Sequence, residues 1–280
     1  MDSLALPRGS GESLNYEKQM ASPDYFNVTI KKLPCGGLLH IINLEQITAE
    51  LKDFIDEQLP SIHSSADYDL NETKKVLRVA LGANKKPYNL PSVKRGAVAE
   101  FFIHLYFVHQ GFRQECLFQS LEDPYGIKKG YDGYYSYEEE AWLMESKSTI
   151  ADTAHEKNIK LAYSHLEAKV SGKNTNSDGE PISPWASALN HARQVESSDK
   201  ILDEIKALSK EFIGGIYHNI GEFNIIPAST VFLDGSWQLL DSDEIFEKIS
   251  SCMDKKKFKN LHVVCVTKRT VDLFLDYLNS

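Results

Sequence analysis

The segment Ala97–Val108 limits the architecture more than any other part of the chain. It lies inside a helical pattern from Val93 to Gln110 that Gly111 stops, because glycine just past a helix readily takes the left-handed cap. Glu100 and His104 interrupt the apolar run, which falls short of the ~20 residues a membrane span needs. No membrane association is expected. A helix this apolar must be covered by other elements of a folded domain.

The covering elements follow from periodicity. Leu261-His-Val-Val-Cys-Val-Thr267 has the near-continuous apolar character of a buried strand. Tyr25 to Ile42 reads as a β-hairpin about Gly36-Gly37. Leu44 to Gln58 reads as a helix with Leu51, Phe54 and Ile55 at helical spacing. Asn71 to Leu81 reads as a short helix running into a strand at Val76–Leu81. Asp123-Pro124-Tyr125-Gly126 signals a turn. Helix is predicted from about Ala151 to Val170, with Ile159, Tyr163, Leu166 and Val170 on one stripe. After a Gly, Asn and Ser-rich loop from Ser171 to Pro184 come helices at Trp185–Val195 and Asp199–Phe212, then a closing helix at Thr270–Leu278. This order predicts the α/β (α+β) class, with a mixed central sheet flanked by helices. Residues 1–23 read as a flexible N-terminus. The polar break Lys85–Asn89 marks a boundary between an N-terminal α+β region (24–88), a candidate for partner docking, and a larger domain (89–280).

Charge and cysteine usage narrow the function classes. With 31 basic against 40 acidic residues the chain carries −9, so its average field repels free nucleic acid. A nucleic-acid enzyme with this balance needs a local binding surface, metal ions, or a partner that supplies positive charge. Cys35, Cys116, Cys252 and Cys265 are scattered without a CxxC, which argues against a zinc ribbon or a disulfide framework. No basic start followed by an apolar stretch opens the chain, so a reduced, cytoplasmic setting is expected.

The chemistry concentrates between Glu100 and Lys147. Gly130-Tyr-Asp132-Gly and Ala141-Trp-Leu-Met-Glu145-Ser-Lys147 can form a hairpin with its turn centred between Glu138 and Glu139. Antiparallel pairing then sets Asp132 opposite Glu145, on one face, with Cβ atoms about 5 Å apart. Strand period places Lys147 on that face too. Two carboxylates so close repel unless a cation lies between them. Mg²⁺, or Mn²⁺, suits such a pair, completing its shell with water and substrate phosphate. Lys147 is positioned to orient or deprotonate a water, or to stabilise charge building on phosphate. Glu100, among core residues of the 93–110 helix, offers a third carboxylate from below the sheet. The expected metal ligands are Asp132, Glu145 and Glu100, and the chemistry is phosphodiester hydrolysis. The plain readings are a turn aspartate at Asp132, an exposed charge alternation at Glu145-Ser-Lys147, and a core histidine at His104. His155 and His165 are about 15 Å apart along their helix, too far to share a metal.

Helix glutamate, strand aspartate, then Glu-x-Lys on the next strand resembles the PD-(D/E)XK nuclease superfamily, whose restriction-endonuclease-like core the fold would then share. Arg95-Gly96-x-x-x-Glu100, Gly130-x-Asp132-Gly133 and Leu143-x-Glu145-Ser146-Lys147 resemble, more closely, the HamA family of the Hachiman anti-phage defence system. The superfamily's usual proline before the motif aspartate is Tyr131 here. The resemblance implies Asp132 and Glu145 as metal ligands, Lys147 as catalytic lysine and Glu100 as the helix carboxylate. It also implies DNA as substrate and a HamB-type superfamily 2 helicase as the partner that releases a restrained nuclease. The competing expectations are a non-catalytic adaptor with a nuclease-like fold and a nuclease acting on RNA, since the site sees only phosphate.

Overall fold

A computed structural model describes residues 25–64, 67–84, 86, 88, 90–118, 130–150, 154–233 and 237–280. The expectations for 1–23, for the turn at 123–126 and for the helix start at 151–153 lie outside those residues. Seven strands form one mixed sheet: β1 (Val28–Lys32), β2 (Leu38–Leu44), β3 (Arg113–Gln114), β4 (Gly133–Tyr137), β5 (Glu140–Ile150), β6 (Asn224–Phe232) and β7 (Asn260–Lys268), in the order β1-β2-β7-β6-β5-β4-β3. β2, β7, β6 and β5 run parallel, each to its neighbour, while β1 at one edge and β4 and β3 at the other are antiparallel. The described residues include eight α-helices: α1 (Ala49–His63), α2 (Leu70–Leu81), α3 (Ser92–His109), α4 (His155–Val170), α5 (Pro184–Gln194), α6 (Asp199–Ile213), α7 (Ser242–Met253) and α8 (Asp272–Leu278). The α/β class with a mixed sheet between helices is therefore observed. None of these helices is long and apolar enough to cross a membrane.

Strand alternation divides the core into two layers. Met144, Ile226, Ala228, Val264 and Val266 face α1, α2, α3 and α8, and their cluster includes Phe101, Phe102 and Phe107 of α3. Leu143, Ile225, Val263 and Cys265 face α4 to α7, with Ile159, Tyr163, Leu166 and Val170 forming the α4 stripe. The buried helix and the buried strand that the sequence singled out thus belong to one α/β sandwich. Residues on both sides of the 85–89 break share the sheet and the α3 layer: β2 pairs with β7, and Leu51 and Leu77 join the same cluster as Phe101.

Three local readings change. Asn71–Leu81 contains no strand; α2 runs unbroken from Leu70 to Leu81. Asp69 and Glu72 form a reciprocal capping box, Thr73, Leu77 and Leu81 bury one stripe, and Gly82 ends the helix at φ 72°. Leu44 closes β2, and α1 starts only after Thr48, whose hydroxyl accepts from Leu51 N–H at 3.2 Å. That helix continues past Gln58 and through Pro60 to His63. β3, β6 and α7 have no counterpart in the sequence reading. β6 is buried at all nine positions, yet contains Pro227, a residue that normally marks strands as peripheral. Pairing between β6 and β7 skips Ile226 and Pro227, so the missing N–H falls where the ladder is already interrupted.

The parallel β5–α4–β6 unit lays α4 across the sheet face that carries Leu143. Polar bonds fix its near end. His155 bonds Ser229 (2.9 Å) and Thr267 (3.2 Å), and the Asn158 amide donates to Thr149 and Ser229, both at 3.1 Å. Burial holds the His155 imidazole down at about 4, so it stays neutral among these hydroxyls. The far end of α4 is thereby set above β5 and β4.

Candidate active site

The β4–β5 hairpin closes on Glu138 and Glu139, at φ 50° and 61°, between the paired residues Tyr137 and Glu140. Two consecutive left-handed residues make the tight turn that matches strand twist. The register runs to Gly133↔Met144, so one further step sets Asp132 across from Glu145, as the sequence spacing implied. Gly133 is required there: a Cβ would stand 2.7 Å from the Tyr135 ring and 2.8 Å from Met144 Cε. Asp132 is fixed by the Ser146 N–H, which donates to Oδ2 at 2.8 Å.

Glu145 is 2% exposed and faces α4. Lys147 Nζ donates to its Oε1 at 2.6 Å. The other oxygen, Oε2, accepts from Lys169 Nζ at 2.5 Å, and His165 Nδ1 lies 3.2 Å from Oε1. Lys169 also donates to the Gly130 carbonyl at 2.6 Å and lies over the Tyr131 ring. The site therefore holds Asp132, Glu145 and Lys147 together, with Lys169 and His165 added from α4. Burial, the strongest influence on Glu145, pushes its carboxyl up, but the His165 bond and the two ammonium groups outweigh it and hold the group at about 2. Asp132 is raised, first by burial and then by the charge of Glu145, with Lys169 and Lys147 opposing.

Glu100 is placed differently. It projects from α3, in the layer opposite to α4, and its Oε1 lies 3.3 Å from His104 Nε2. His104 Nδ1 in turn lies 2.6 Å from the Tyr135 hydroxyl of β4. Among the described residues, no group of three or more His, Cys, Asp or Glu side chains is arranged to hold a metal ion. Glu100 is thus not brought into one ligand set with Asp132 and Glu145.

The sequence reading names His165 only to exclude a metal shared with His155, and it does not single out Lys169. Their signal was present: Asn158, His165 and Lys169 recur at helical spacing beside the apolar stripe of α4. Separation along that helix correctly keeps His155 and His165 apart, but it says nothing about which strand residue each meets.

The donor chemistry fits a hard divalent cation. Asp132 and Glu145 offer oxygen ligands side by side; burial raises Asp132 most, and the charge of Glu145 adds a repulsion that such an ion would relieve. Both residues would hold it, with water and substrate completing the shell. A cavity of about 320 Å³ lies elsewhere, at the N-terminal end of α4 between His155, Val231, Leu240 and Ile245. It is about 20 Å along α4 from Lys169 and does not belong to this cluster. Compared with family models, curated proteins and solved structures, the chain matches none.

Proposed function

We propose that this chain is a metal-dependent nuclease of the PD-(D/E)XK kind, hydrolysing phosphodiester bonds in DNA as the effector of an anti-phage complex with a HamB-type helicase. The observation that carries the reading is the meeting of Asp132 with Glu145-x-Lys147 across one hairpin, two carboxylates and an amine on one face. A bound Mg²⁺ or Mn²⁺ would supply Lewis acidity to the phosphate and a water of lowered pKa. Asp132 and Glu145 would hold the ion. The Ser146 N–H keeps Asp132 oriented, and Lys147 orients the attacking water or meets charge developing on phosphate. The −9 charge accords with a nuclease that meets DNA through a partner rather than alone.

The test is cleavage of linear DNA by the chain with and without the helicase, in Mg²⁺, Mn²⁺ or EDTA. Lys147→Ala and Glu145→Ala should each lower cleavage by more than about 100-fold, the usual scale for removing a group that stabilises transition-state charge. Full cleavage by either variant overturns the reading. A second reading is favoured by one observation, that both Glu145 oxygens already carry a lysine. In that case the cluster is a structural charge network in a non-catalytic adaptor, and wild-type chain with helicase and Mn²⁺ leaves both DNA and RNA intact.

A further inference from the structure

The carboxylates of the site arrive already neutralised. Asp132 and Glu145 face Lys147 and Lys169, two negative charges against two positive ones, at a place where Glu145 is almost fully removed from water. Lys147 belongs to the motif strand. Lys169 comes from a different element, reaches across to Glu145 Oε2 and is anchored on the Gly130 carbonyl just before the hairpin. Adding a divalent cation to this neutral cluster leaves an excess of +2 in a poorly solvated place, which is costly. A phosphodiester brings negative charge and a new partner for a displaced ammonium group. We infer that Lys169 is a built-in counter-cation that makes divalent-metal uptake depend on nucleic acid, so the site takes metal and phosphodiester together and binds either one poorly alone. This rests on the metal-nuclease reading above and adds its regulation. Coupling of this kind is reciprocal: whatever factor DNA adds to metal affinity, metal adds to DNA affinity. It would keep a free chain silent until a strand is delivered, without any change of fold.

The test is calorimetric titration of Mn²⁺ into the full chain at pH 8, above the ordinary imidazole range, with and without a short DNA strand. Whether or not the strand is cut, it keeps phosphate for the site, so the isotherm reads coupling and not turnover. Wild type should take Mn²⁺ weakly alone and about tenfold more tightly with DNA, a common size for coupling between sites. Lys169→Met should tighten Mn²⁺ binding without DNA by about tenfold, the order expected when one cation a few Å away is removed, and should lose most of the DNA effect. Lys169→Arg, which keeps the charge, should behave as wild type; this separates charge from any disturbance of folding, which circular dichroism checks. If both chains take Mn²⁺ and Lys169→Met binds it no more tightly, the coupling is overturned while the metal reading stands. If no variant takes Mn²⁺ with or without DNA, both fall.

Discussion

Two strand lysines of the same sheet live in opposite surroundings. Lys147 on β5 meets Glu145 at 2.6 Å, and its side chain keeps 21% exposure. Lys268 on β7 is 1% exposed, its Nζ has no hydrogen-bond partner among the described residues, and it lies 3.6 Å from the centre of the Phe102 ring. Burial alone lowers the Lys268 ammonium to about 7. The contrast separates a cation that is organised from one that is tolerated. Around Glu145 every charge has an opposite within reach, at the edge of solvent. Lys268 contributes its methylenes to the α3 layer and leaves a stranded amine, softened only by the aromatic face.

Stability should therefore move in opposite directions at the two places. Lys268→Met keeps the apolar stem and removes the stranded amine, so it should raise unfolding stability by about 1–3 kcal/mol, the usual cost of a buried polar group without a partner. Glu145→Ala removes the one acceptor shared by Lys147, Lys169 and His165. A fully buried pair broken in this way costs about 3–5 kcal/mol. Here the lysine side chains are 21% and 12% exposed and can turn toward water, so about 2–3 kcal/mol is expected. Urea unfolding of both variants checks the pair, and a loss at Lys268→Met would erase the contrast.

The same contrast predicts pH dependence. Lys268 titrates at about 7 when folded against an ordinary 10.5, so between those values the unfolded chain holds a proton the folded one lacks. Stability should rise with pH across that window, by up to about 1.4 kcal/mol per unit, and level off below it. Urea midpoints from pH 7.5 to 9.5, before tyrosines near 10 begin to titrate, should show the rise in wild type and a flatter line in Lys268→Met. Glu145 acts in the acid range: held at about 2 against 4.5, its stabilisation is complete above 4.5 and lost as pH falls toward 2.

The two faces of the hairpin set Glu145 and Glu100 in different surroundings. Glu145 lies in the α4 layer with three basic groups, whereas Glu100 lies in the α3 layer beside His104. Glu100→Gln should accordingly lower DNA cleavage by less than about tenfold, well under the 100-fold scale expected for Glu145→Ala. A loss at Glu100→Gln equal to that at Glu145→Ala would show that Glu100 reaches the metal.

The sequence was most legible where a pattern is local. The apolar run of α3 and the spacing of Asp132 and Glu145 about Glu138-Glu139 are each contained in one short segment, so the buried helix and the hairpin register follow from the sequence alone. What could not be read depends on how elements are stacked. Nothing in Lys169 itself says that a parallel crossover will lay α4 over Glu145, and Pro227 disguises a central strand as a break. The layer that Glu100 occupies is likewise fixed by which face of the sheet α3 covers, not by its spacing from Asp132.

The smallest effect concerns the polar chain in the α3 layer. His104 sits fully buried between Glu100 and the Tyr135 hydroxyl, 3.3 Å and 2.6 Å away, and Tyr135 itself is walled in by Phe107 and Phe112. Burial raises the Tyr135 hydroxyl well above its usual value, so at neutral pH it stays protonated and can donate a hydrogen bond to His104 Nδ1. The imidazole then carries its own proton on Nε2, where it can donate to Glu100 Oε1. Tyr135→Phe removes the first link without altering the ring packing. The expected cost is about 1 kcal/mol, the net value of one hydrogen bond, with DNA cleavage unchanged because the chain lies on the α3 side of the sheet. A cleavage defect in a variant that folds normally would mean that the Tyr135–His104–Glu100 chain communicates with Glu145 through the hairpin, and the two faces would have to be treated as one site.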